Sequence, residues 1–492
     1  MPPLGLVTLA AQLPQHWSLR LVDLNVEPLL DADLEWADVL LLTGMLIHAP
    51  SMHQVLARAR RAGVRTVVGG PAASTSPAEF PEADHVFEGE AEERLYTLVD
   101  ALERGEGPRH LVPEGGARPR LAAAPTPRWD LLRRERYVSM SLQYSRGCPF
   151  NCEFCDIIEM FGRQPRTKSA AQVIRELEAL RAWGWRGSVF FVDDNFIANR
   201  KAVAQVLPEI EAWQDRHGRP FELYTEASVD LATQPKLLEA MARAGFTTVF
   251  LGIETPSPEA LRETQKLQNL RLGLAESVWR VTRAGMEVYA GFIVGFDADG
   301  PEVFELQRSF IESLPIAAAM VGILTALPRT QLWRRLEREG RLRGNSTGDQ
   351  FGRPNFVTAL DEDTLLSGYR TLLSSIYSAD AYYKRCAQIV DGIGSRPRSR
   401  LRPGALAMLL RIALRVGVLS PRRGHFWRLV GRALRRPHTL PRAVALAVQG
   451  EHFIRYTEKE VVPRIERALR ELRAAPAAQV QARPAPAPAV NA

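Results

Sequence analysis

Cysteine is scarce in this 492-residue sequence: there are four, and three of them fall within eight residues. Three clustered cysteines and one distant one do not match the disulfide framework of a small secreted domain, so a reducing cytosol is expected. No apolar run approaches the roughly 20 residues of a membrane-spanning helix, and the first residues do not resemble a signal peptide. These absences predict a cytoplasmic chain that is soluble or peripherally attached to the inner face of the membrane.

Acidic residues are missing from one long stretch. The whole chain has a net charge of +7, but thirteen arginines and no acidic residue lie between Gly392 and Gly450, so the rest of the chain is net acidic. Because the basic residues are local, the composition does not favour a nucleic-acid-binding protein. In ALAMLLRIALRVGVL and HFWRLVGRALRRP, apolar residues alternate with arginine. This pattern is typical of a membrane-surface helix, and it fits a helical subdomain with a basic wet face equally well.

The three clustered cysteines, Cys148, Cys152 and Cys155, form the motif C-x3-C-x-F-C after an extended stretch. Thiolates are preferred ligands of iron–sulfur clusters and of zinc. Structural zinc normally takes four Cys or His ligands, and no histidine lies between His110 and His217. The motif therefore favours a four-iron cluster that three thiolates hold, with one iron open to a substrate, over a zinc site.

The cysteine loop resembles the signature of the radical S-adenosylmethionine (SAM) superfamily, in which SAM binds the open iron. Neighbouring segments narrow the resemblance, over about residues 1–390, to the cobalamin-binding radical SAM proteins that include the hopanoid methylases. They are RGCPFNCEFCDIIEMFGRQPRTKS, GSVFFVDDNFI, YTEASV, VFLGIETP, GFIVGFD and MVGILTALPRTQL. The resemblance implies three cofactors: a [4Fe-4S] cluster, SAM and cobalamin.

Short apolar stretches alternate with helical stretches, which predicts an α/β fold. Residues 1–105 are expected to form a Rossmann-like, flavodoxin-like domain with strands at LRLVDLN, ADVLLLTG, RTVVGG and HVFEGEAEE, and the resemblance implies that this domain binds cobalamin although its first strand is not found. Residues 106–136 are rich in Gly, Pro and Arg and are expected to be a linker.

Residues 137–345 are expected to form a partial (β/α)6, TIM-like radical SAM barrel. Its strands are predicted near residues 139–145, 187–193, 221–227, 247–253, 287–295 and 317–325. The resemblance adds an accessory domain at 346–395. A basic amphipathic helical region is expected at 396–473 and a disordered Pro/Ala-rich tail at 474–492.

Polar residues and glycines recur where the predicted barrel strands end. Functional residues of such barrels gather at the carboxyl ends of the strands. Each carboxylate taken alone also fits a helix cap or a solvated turn, but their repetition predicts a site. The resemblance places SAM around Phe154, Asp193, Asp194, Glu226, Glu254, Ile293 and Gly295.

In detail, the resemblance implies that the two aspartates contact the methionine amino group of SAM, that the two glutamates hold the ribose or the substrate, and that Ile293 and Gly295 lie against adenine. A basic loop is expected to steady the cysteine loop or a carboxylate, or simply to be solvated; its residues are Arg163, Arg166 and Lys168.

Glycine-rich turns follow two strands of the first domain. The resemblance implies that they admit cobalamin, while taken alone they are ordinary turns; the residues are Thr43, Gly44, Gly69 and Gly70. The family's D-x-H-x-x-G motif, which supplies a histidine to cobalt, is absent from the sequence. His48 and His53 are expected to be surface residues.

The resemblance implies a radical C-methyltransferase that acts on an unactivated carbon of a small molecule or a lipid, such as a hopanoid-like triterpenoid. SAM cleavage would generate the radical, and cobalamin would carry the methyl group. Two alternatives stay open: a non-methylating oxidation, cyclisation or rearrangement, and a non-catalytic metal-binding adaptor. Expected partners are the substrate, an external electron donor of flavodoxin or ferredoxin type and a peripheral membrane contact, without nucleic acid.

Overall fold

A computed structural model describes residues 1–112, 118–395 and 411–474. The amino-terminal part contains a parallel sheet whose strands lie side by side in chain order. Its strands are β1 (Val39–Thr43), β2 (Arg65–Gly69), β3 (His85–Phe87) and β4 (His110–Leu111). Its helices are α1 (Leu4–Ala10), α2 (Asp31–Trp36), α3 (Ala49–Arg61), α4 (Pro71–Thr75) and α5 (Tyr96–Arg104).

Helix α3 shows how the sequence builds this layer. Proline in its first turn suits a helix start, and apolar residues at helical spacing turn one face inward. Met52, Val55, Leu56 and Ala59 are buried on that face. Gly63 adopts a φ of +72° just beyond the helix, which lets the chain reverse into β2.

Two expectations for the first domain are corrected. Residues 19–25 (LRLVDLN) were expected to be a strand but form none, because a strand needs a neighbour's hydrogen bonds and, among the described residues, β1 pairs only with β2. Leu21 packs against the main core instead. Conversely, the segment expected to be a linker contributes β4, which pairs with β3 and extends the sheet.

The central part is a six-stranded parallel sheet in the order β12-β11-β10-β9-β8-β5, which confirms the expected partial barrel. Its remaining short strands, β6 and β7, form a separate antiparallel pair. The strands are β5 (Ser139–Leu142), β6 (Ser145–Arg146), β7 (Arg166–Thr167), β8 (Ser188–Phe191), β9 (Glu222–Ala227), β10 (Phe246–Glu254), β11 (Glu287–Val294) and β12 (Ile316–Ile323).

Helices connect or follow these strands. They are α6 (Ile157–Phe161), α7 (Ala170–Ala182), α8 (Arg200–Arg216), α9 (Pro235–Ala244), α10 (Pro258–Glu263), α11 (Leu274–Arg283), α12 (Val303–Glu312) and α13 (Gln331–Arg338). Nearly every residue of β10, β11 and β12 is buried or half-buried, and their sequences are mostly apolar, as expected for strands that are covered on both faces. Val249, Leu251 and Val288 are fully buried.

Further helices close the carboxyl-terminal side. They are α14 (Glu362–Ile376), α15 (Ala379–Gly392), α16 (Arg423–Leu434), α17 (Leu440–Tyr456) and α18 (Val462–Ala474), with a π-helical turn (Thr457–Val461) before the last. Phe426, Leu446 and Ile465 belong to the same hydrophobic core as the barrel. Residues 396–410 of the predicted basic region and residues 475–492 of the predicted tail lie outside the described residues. In the three described ranges, no helix is long and apolar enough to cross a membrane.

A buried charge pair ties these helices to the barrel. Glu287, at the start of β11, is fully buried, and Nη1 of Arg442 from α17 lies 2.5 Å from its carboxylate. Nearby, Nε2 of Gln449 donates to the Tyr289 hydroxyl at 2.8 Å. No other ion pair of Glu287 occurs among the described residues, so Arg442 neutralises it.

The change Arg442→Ala is expected to destabilise the fold by about 3 to 5 kcal/mol, because it leaves a buried carboxylate without its counter-charge. Urea unfolding measures the loss. The control Arg432→Ala breaks a pair with Asp391 in which both side chains are about half exposed, and it should cost less than about 1 kcal/mol. Equal losses in the two variants would contradict the anchoring role of Arg442.

Candidate functional site

The three clustered cysteines lie in one loop, residues 147–156, that follows β6. Gly147 starts the loop at a φ of +94°, and a Cβ there would stand 2.8 Å from the carbonyl oxygen of Gly162. Only glycine tolerates this conformation and this approach. The Cys148 amide donates to the same Gly162 oxygen at 3.1 Å. The backbone therefore fixes the position of the first thiol.

The middle of the cysteine loop is held from the rim of the barrel. Glu153 donates its amide to the carbonyl of Thr264 at 3.0 Å, and its own carbonyl accepts from the Leu332 amide at 2.9 Å. Its carboxylate pairs with Arg335 at 2.6 Å, and Arg335 also reaches Asp297 at 2.8 Å. Asp297, at the predicted end of the fifth strand, thus helps to hold Arg335 in place against the cysteine loop.

Two buried amide side chains face the thiols. Nδ2 of Asn195 lies 3.8 Å from Sγ of Cys148, and Nε2 of Gln268 lies 3.5 Å from Sγ of Cys152. Within the described part of the chain, no three His, Cys, Asp or Glu side chains are arranged to hold a single metal ion. Cysteine thiolates with amide donors to sulfur are the setting of iron–sulfur clusters, so this donor set fits a [4Fe-4S] cluster.

Four carboxylates stand at the same end of the barrel. Asp193 and Asp194 follow β8, Glu226 lies at the end of β9, and Glu254 ends β10. Burial raises the pKa of Glu226 to about 7, and the charges of Asp193 and Glu254 add to the effect. The structure therefore brings these four residues close enough to influence one another.

Asp193 is completely buried and already has partners. Its carboxylate accepts a hydrogen bond from the Tyr144 amide at 3.0 Å, a second from the Ser145 amide and a third from the Ser145 hydroxyl at 2.5 Å. Burial still raises the pKa of Asp193 to about 6. Since its oxygens are taken by the segment that leads into the cysteine loop, Asp193 positions that loop. These hydrogen bonds are within the protein, and they differ from the expected contact of Asp193 with the amino group of SAM.

Asp194 has the opposite environment. Its Oδ2 is buried and has no hydrogen-bond partner among the described residues. Burial, together with the neighbouring charges of Asp193, Glu226 and Asp156, raises the pKa of Asp194 to about 7. A buried carboxylate of this kind is costly unless a cation or a hydrogen-bond donor meets it. Asp194 is therefore an acceptor available to a ligand at this rim.

Glu254 sits in a strained turn and is paired. Its backbone has a φ of +64°, which is uncommon for a residue other than glycine. Nζ of Lys266 lies 2.5 Å from its carboxylate and 5.7 Å from the centre of the Phe154 ring. Burial opposes the charge of Lys266, but Glu254, Cys152 and Cys155 hold its pKa above the usual range. Lys266 is thus a cation at the end of the barrel where the four carboxylates lie.

The expected adenine-facing residues lie together. The rings of Phe154 and Phe296 are 6.0 Å apart, and Ile293 belongs to the same hydrophobic cluster. Gly295 has a φ of +98°, a left-handed conformation that suits glycine. Its amide and that of Phe296 donate to one oxygen of Asp299, at 2.8 and 3.0 Å. Asp299 therefore holds the turn that follows β11.

A cavity of about 300 Å³ separates the amino-terminal sheet from the barrel. Thr43, Gly69 and Gly70 line it from the ends of β1 and β2, and Arg146 and Lys168 line it from the barrel side. A Cβ on Gly70, whose φ is +83°, would stand 2.1 Å from Oγ1 of Thr43. The turn needs glycine here, and it leaves backbone exposed to the cavity. This cradle fits the planar ring of a cobalamin.

Gly44 does not line this cavity. A Cβ there would stand 2.6 Å from Sδ of Met52 and 3.1 Å from Cβ of His48, so close packing against α3 requires glycine at this position. Nδ1 of His48 accepts a bond from the backbone of its own turn. His53 pairs with Glu82. Both His48 and His53 therefore have their contacts within the first domain.

Ion pairs connect the first domain to the cysteine loop. Arg146, two residues before Cys148, pairs with Glu90 at 2.8 Å and with Glu92 at 2.7 Å. Arg166 pairs with Glu90 at 2.8 Å. All four charged side chains are mostly buried. Neither glutamate was predicted as a site residue, although the acidic segment that follows β3, residues 88–93, was the available signal.

The other basic residues near the loop divide between two roles. Arg163 donates to the Pro149 carbonyl of the cysteine loop at 3.1 Å, whereas Lys168 pairs with the buried Glu176. Lys266 and Gln268 were not predicted as site residues either. Lys266 directly precedes a short 3-10 turn (Leu267–Leu270) and Gln268 lies within it, and so short a segment has no repeating sequence pattern.

Three family models match the chain: a B12 binding domain over residues 1–99, the radical SAM superfamily over 142–305 and a domain of unknown function, DUF4070, over 330–466. An uncharacterized methyltransferase of Synechocystis is 40% identical over 467 residues, which cover 93% of this chain and 87% of that protein. The hopanoid C-2 methylase of Rhodopseudomonas palustris is 35% identical over 471 residues, which cover 93% of this chain and 88% of that protein.

Two solved structures share the fold. The methyltransferase TsrM from Kitasatospora setae, with cobalamin and a [4Fe-4S] cluster bound, aligns with a TM-score of 0.52 at 18% identity, over 65% of this chain and 71% of that one. The cobalamin-dependent radical enzyme OxsB, with aqua-cobalamin and SAM bound, aligns with a TM-score of 0.55 at 15% identity, over 88% of this chain and 75% of that one.

The change Asp194→Asn is expected to stabilise the cofactor-free protein, because it removes a buried charge without a partner. The pKa of Asp194 is raised to about 7, so its penalty grows as pH rises from about 4 to about 7 and is constant above. The gain should be on the order of 1 to 3 kcal/mol at pH of about 8 and should vanish near a pH of about 4. Urea unfolding across this pH range measures it.

The matched change Asp193→Asn should destabilise the protein at a pH of about 4, where Asp194→Asn is expected to have no effect. The Asp193 carboxyl group accepts three hydrogen bonds from Tyr144 and Ser145, and the amide of Asn meets those donors less well. Burial raises the pKa of Asp193 as well, to about 6, so the two variants are compared at a pH at which both carboxyl groups are mostly neutral in the folded protein. Equal stability of the two variants at this pH would show that the assigned difference between the two aspartates is wrong.

Proposed function

Because the chain belongs to the cobalamin-dependent radical SAM methyltransferase family, we propose that it transfers a methyl group to an unactivated carbon of a polycyclic lipid. One arrangement carries the proposal: the cavity of the first domain shares Arg146 and Lys168 with the segments that flank the cysteine loop. A methyl carrier in that cavity and a radical source on that loop would then be neighbours, with the substrate between them.

We assign the cluster to Cys148, Cys152 and Cys155. When bound, the cluster supplies the electron that cleaves SAM, and cobalamin supplies the methyl carrier. The chain holds these groups in place: Gly147 and Glu153 fix the loop through their close backbone contacts. Fixed placement lowers the entropic cost of bringing the reacting groups together.

The SAM residues divide by environment. Asp194 and Glu226 suit the amino group and the ribose hydroxyls of SAM, because both have a pKa raised by burial and Asp194 has an oxygen without a partner. Phe154 and Ile293 offer apolar contact for adenine, and Gly295 permits its close approach. Asp193 and Glu254 already have partners, Ser145 and Lys266. We therefore assign them an indirect role, in which they hold these neighbouring residues in place rather than contact SAM.

A lipid substrate is supported by the apolar character of the site. Leu267 and Leu270 follow Lys266 and are 56% and 37% exposed, so apolar side chains stand free beside the rim. Leu41, Val67 and Phe87 form apolar walls of the cavity of the first domain. A relative that covers nearly the whole chain is a hopanoid C-2 methylase, which makes a polycyclic triterpenoid the substrate class to test first.

Two partners complete the proposal. An external donor of flavodoxin or ferredoxin type would supply the electron, and residues 149–151 of the cysteine loop are partly exposed to receive such a protein. A peripheral contact with the membrane would give access to a lipid substrate. Neither partner needs a change in the fold.

Incubation of the reconstituted enzyme with methyl-deuterated SAM, a reductant and a polycyclic triterpenoid is expected to yield a product that carries the label, as measured by mass spectrometry. Deoxyadenosine formed without a labelled product would contradict methyl transfer and favour the non-methylating alternative. Iron and sulfide analysis provides the control: Cys152→Ala should lose both. Stoichiometric zinc in the parent protein would instead support the metal-binding adaptor.

The change Gln268→Leu is expected to make the reduction potential of the cluster more negative, because an N–H donor to sulfur stabilises the additional negative charge of the reduced state. A redox titration followed by electron paramagnetic resonance measures the shift. Gln205→Leu is the matched control, since Gln205 is exposed on α8 and lies outside the cysteine loop. Identical potentials in the two variants would show that Gln268 does not act on Cys152.

A further inference from the structure

The segment 411–435 presents an unusual surface of apolar and basic side chains. Residues 411–415 are helical, and α16 follows after a short turn. We call the exposed side of this segment the basic apolar face. It consists of Leu414, Val418, Leu419, Trp427 and Leu434 together with Arg411, Arg415, Arg423 and Arg435.

The apolar residues of this face are substantially exposed. The exposed fractions are 54% for Leu414, 55% for Val418, 68% for Leu419, 51% for Trp427 and 60% for Leu434. Trp427 and Leu434 are seven residues apart on α16, a spacing that places them on one side of the helix. Leu414 lies in the helical residues 411–415, and Val418 and Leu419 lie in the turn that follows, where the Val418 amide donates to the Leu414 carbonyl at 3.3 Å.

Trp427 joins the two helical pieces. Its Nε1 donates to the carbonyl of Gly417 at 2.8 Å, and a Cβ on Gly417 would stand 3.1 Å from its ring. The ring is fixed at one edge while about half of the side chain is open to solvent. A tryptophan with a bonded polar edge and a free apolar surface is the type found at membrane interfaces.

The opposite side of α16 is satisfied within the fold. Phe426, Leu429 and Ala433 are buried and belong to the main core. The apolar residues of the basic apolar face are not needed for that packing. Their exposure is therefore not explained by the folding of the chain.

The arginines of this region also fall into two groups. Arg422, Arg432 and Arg442 form ion pairs with Glu451, Asp391 and Glu287 that hold the helices. The four arginines of the basic apolar face are exposed and, within the described ranges, have no acidic partner. Since no acidic residue lies between Gly392 and Gly450, the face has a positive charge that the chain itself does not balance.

We propose that the basic apolar face binds the anionic surface of a lipid bilayer. Its apolar side chains would enter the boundary between headgroups and acyl chains, and its arginines would meet lipid phosphates, as in an interfacial amphipathic helix. The basic apolar face would be the surface through which the enzyme reaches a membrane-resident substrate. This role rests on the proposed function, whereas vesicle binding itself is independent of it.

The test is sedimentation of the full-length, reconstituted protein with sucrose-loaded vesicles of phosphatidylcholine, with and without phosphatidylglycerol. The protein is expected to bind the anionic vesicles, less so at high salt. The double change Arg415→Gln/Arg423→Gln should weaken binding by about tenfold or more, because each basic residue at a charged surface contributes measurably. Leu419→Ser/Trp427→Ser should also weaken it, through lost apolar burial.

The matched control is Arg60→Gln/Arg61→Gln on α3, which removes two exposed arginines outside the face and should leave binding unchanged. Circular dichroism and thermal unfolding verify that every variant is folded. A parent protein that stays in the supernatant with anionic vesicles overturns the proposal, as does equal weakening by the α3 control. Binding to duplex DNA but not to vesicles overturns it as well.

Activity separates this proposal from the proposed function. Methyl transfer to detergent-solubilised substrate should survive the changes in the basic apolar face, whereas transfer to substrate embedded in anionic vesicles should fall with vesicle binding. Vesicle binding without any methyl transfer supports the face and contradicts the function. Methyl transfer without vesicle binding contradicts the face alone.

Discussion

The position of the cysteine loop depends on buried charge, above all on the hydrogen bonds that Asp193 accepts from the backbone of Tyr144 and Ser145. From the other side, Arg146 is held by the glutamates that follow β3 in the first domain, Glu90 among them. Moving the loop would leave these charges buried and unpaired, which is expensive. The three thiols are therefore held in a frame to which both domains contribute.

The same rim contains more carboxylates than are paired with a cation among the described residues. Glu254 pairs with Lys266, while Asp194 and Glu226 are left with a pKa raised mainly by burial. Natural proteins keep such local instability where function requires it. If SAM binds here as proposed, its amino group and hydroxyls would relieve the instability, and its binding would be coupled to the stability of the barrel through Asp194.

Much of this fold follows from local patterns. The six barrel strands could be predicted because short strand-like stretches alternate with helical ones, and four of them end at or next to an acid or a glycine, namely Asp193, Glu226, Glu254 and Gly295. The cysteines were identified by their spacing. The strand expected at 19–25 failed because a sequence pattern does not show whether a pairing partner exists. Asp193 and Asp194 are adjacent and chemically identical, yet only folding decides which one faces the backbone. Likewise, the sequence does not show which arginines of the run are paired. Folding brings Glu287, Asp391 and Glu451 beside three of them, and the arginines of the basic apolar face stay exposed.

The central claim is that the three thiols leave one iron of the cluster open to SAM, beside the free carboxylate of Asp194. Electron paramagnetic resonance of the anaerobically reduced protein tests it most directly. Addition of SAM is expected to change the spectrum of the [4Fe-4S] cluster, and Asp194→Asn should require more SAM for the same change. A cluster spectrum that stays unchanged at saturating SAM would contradict the account.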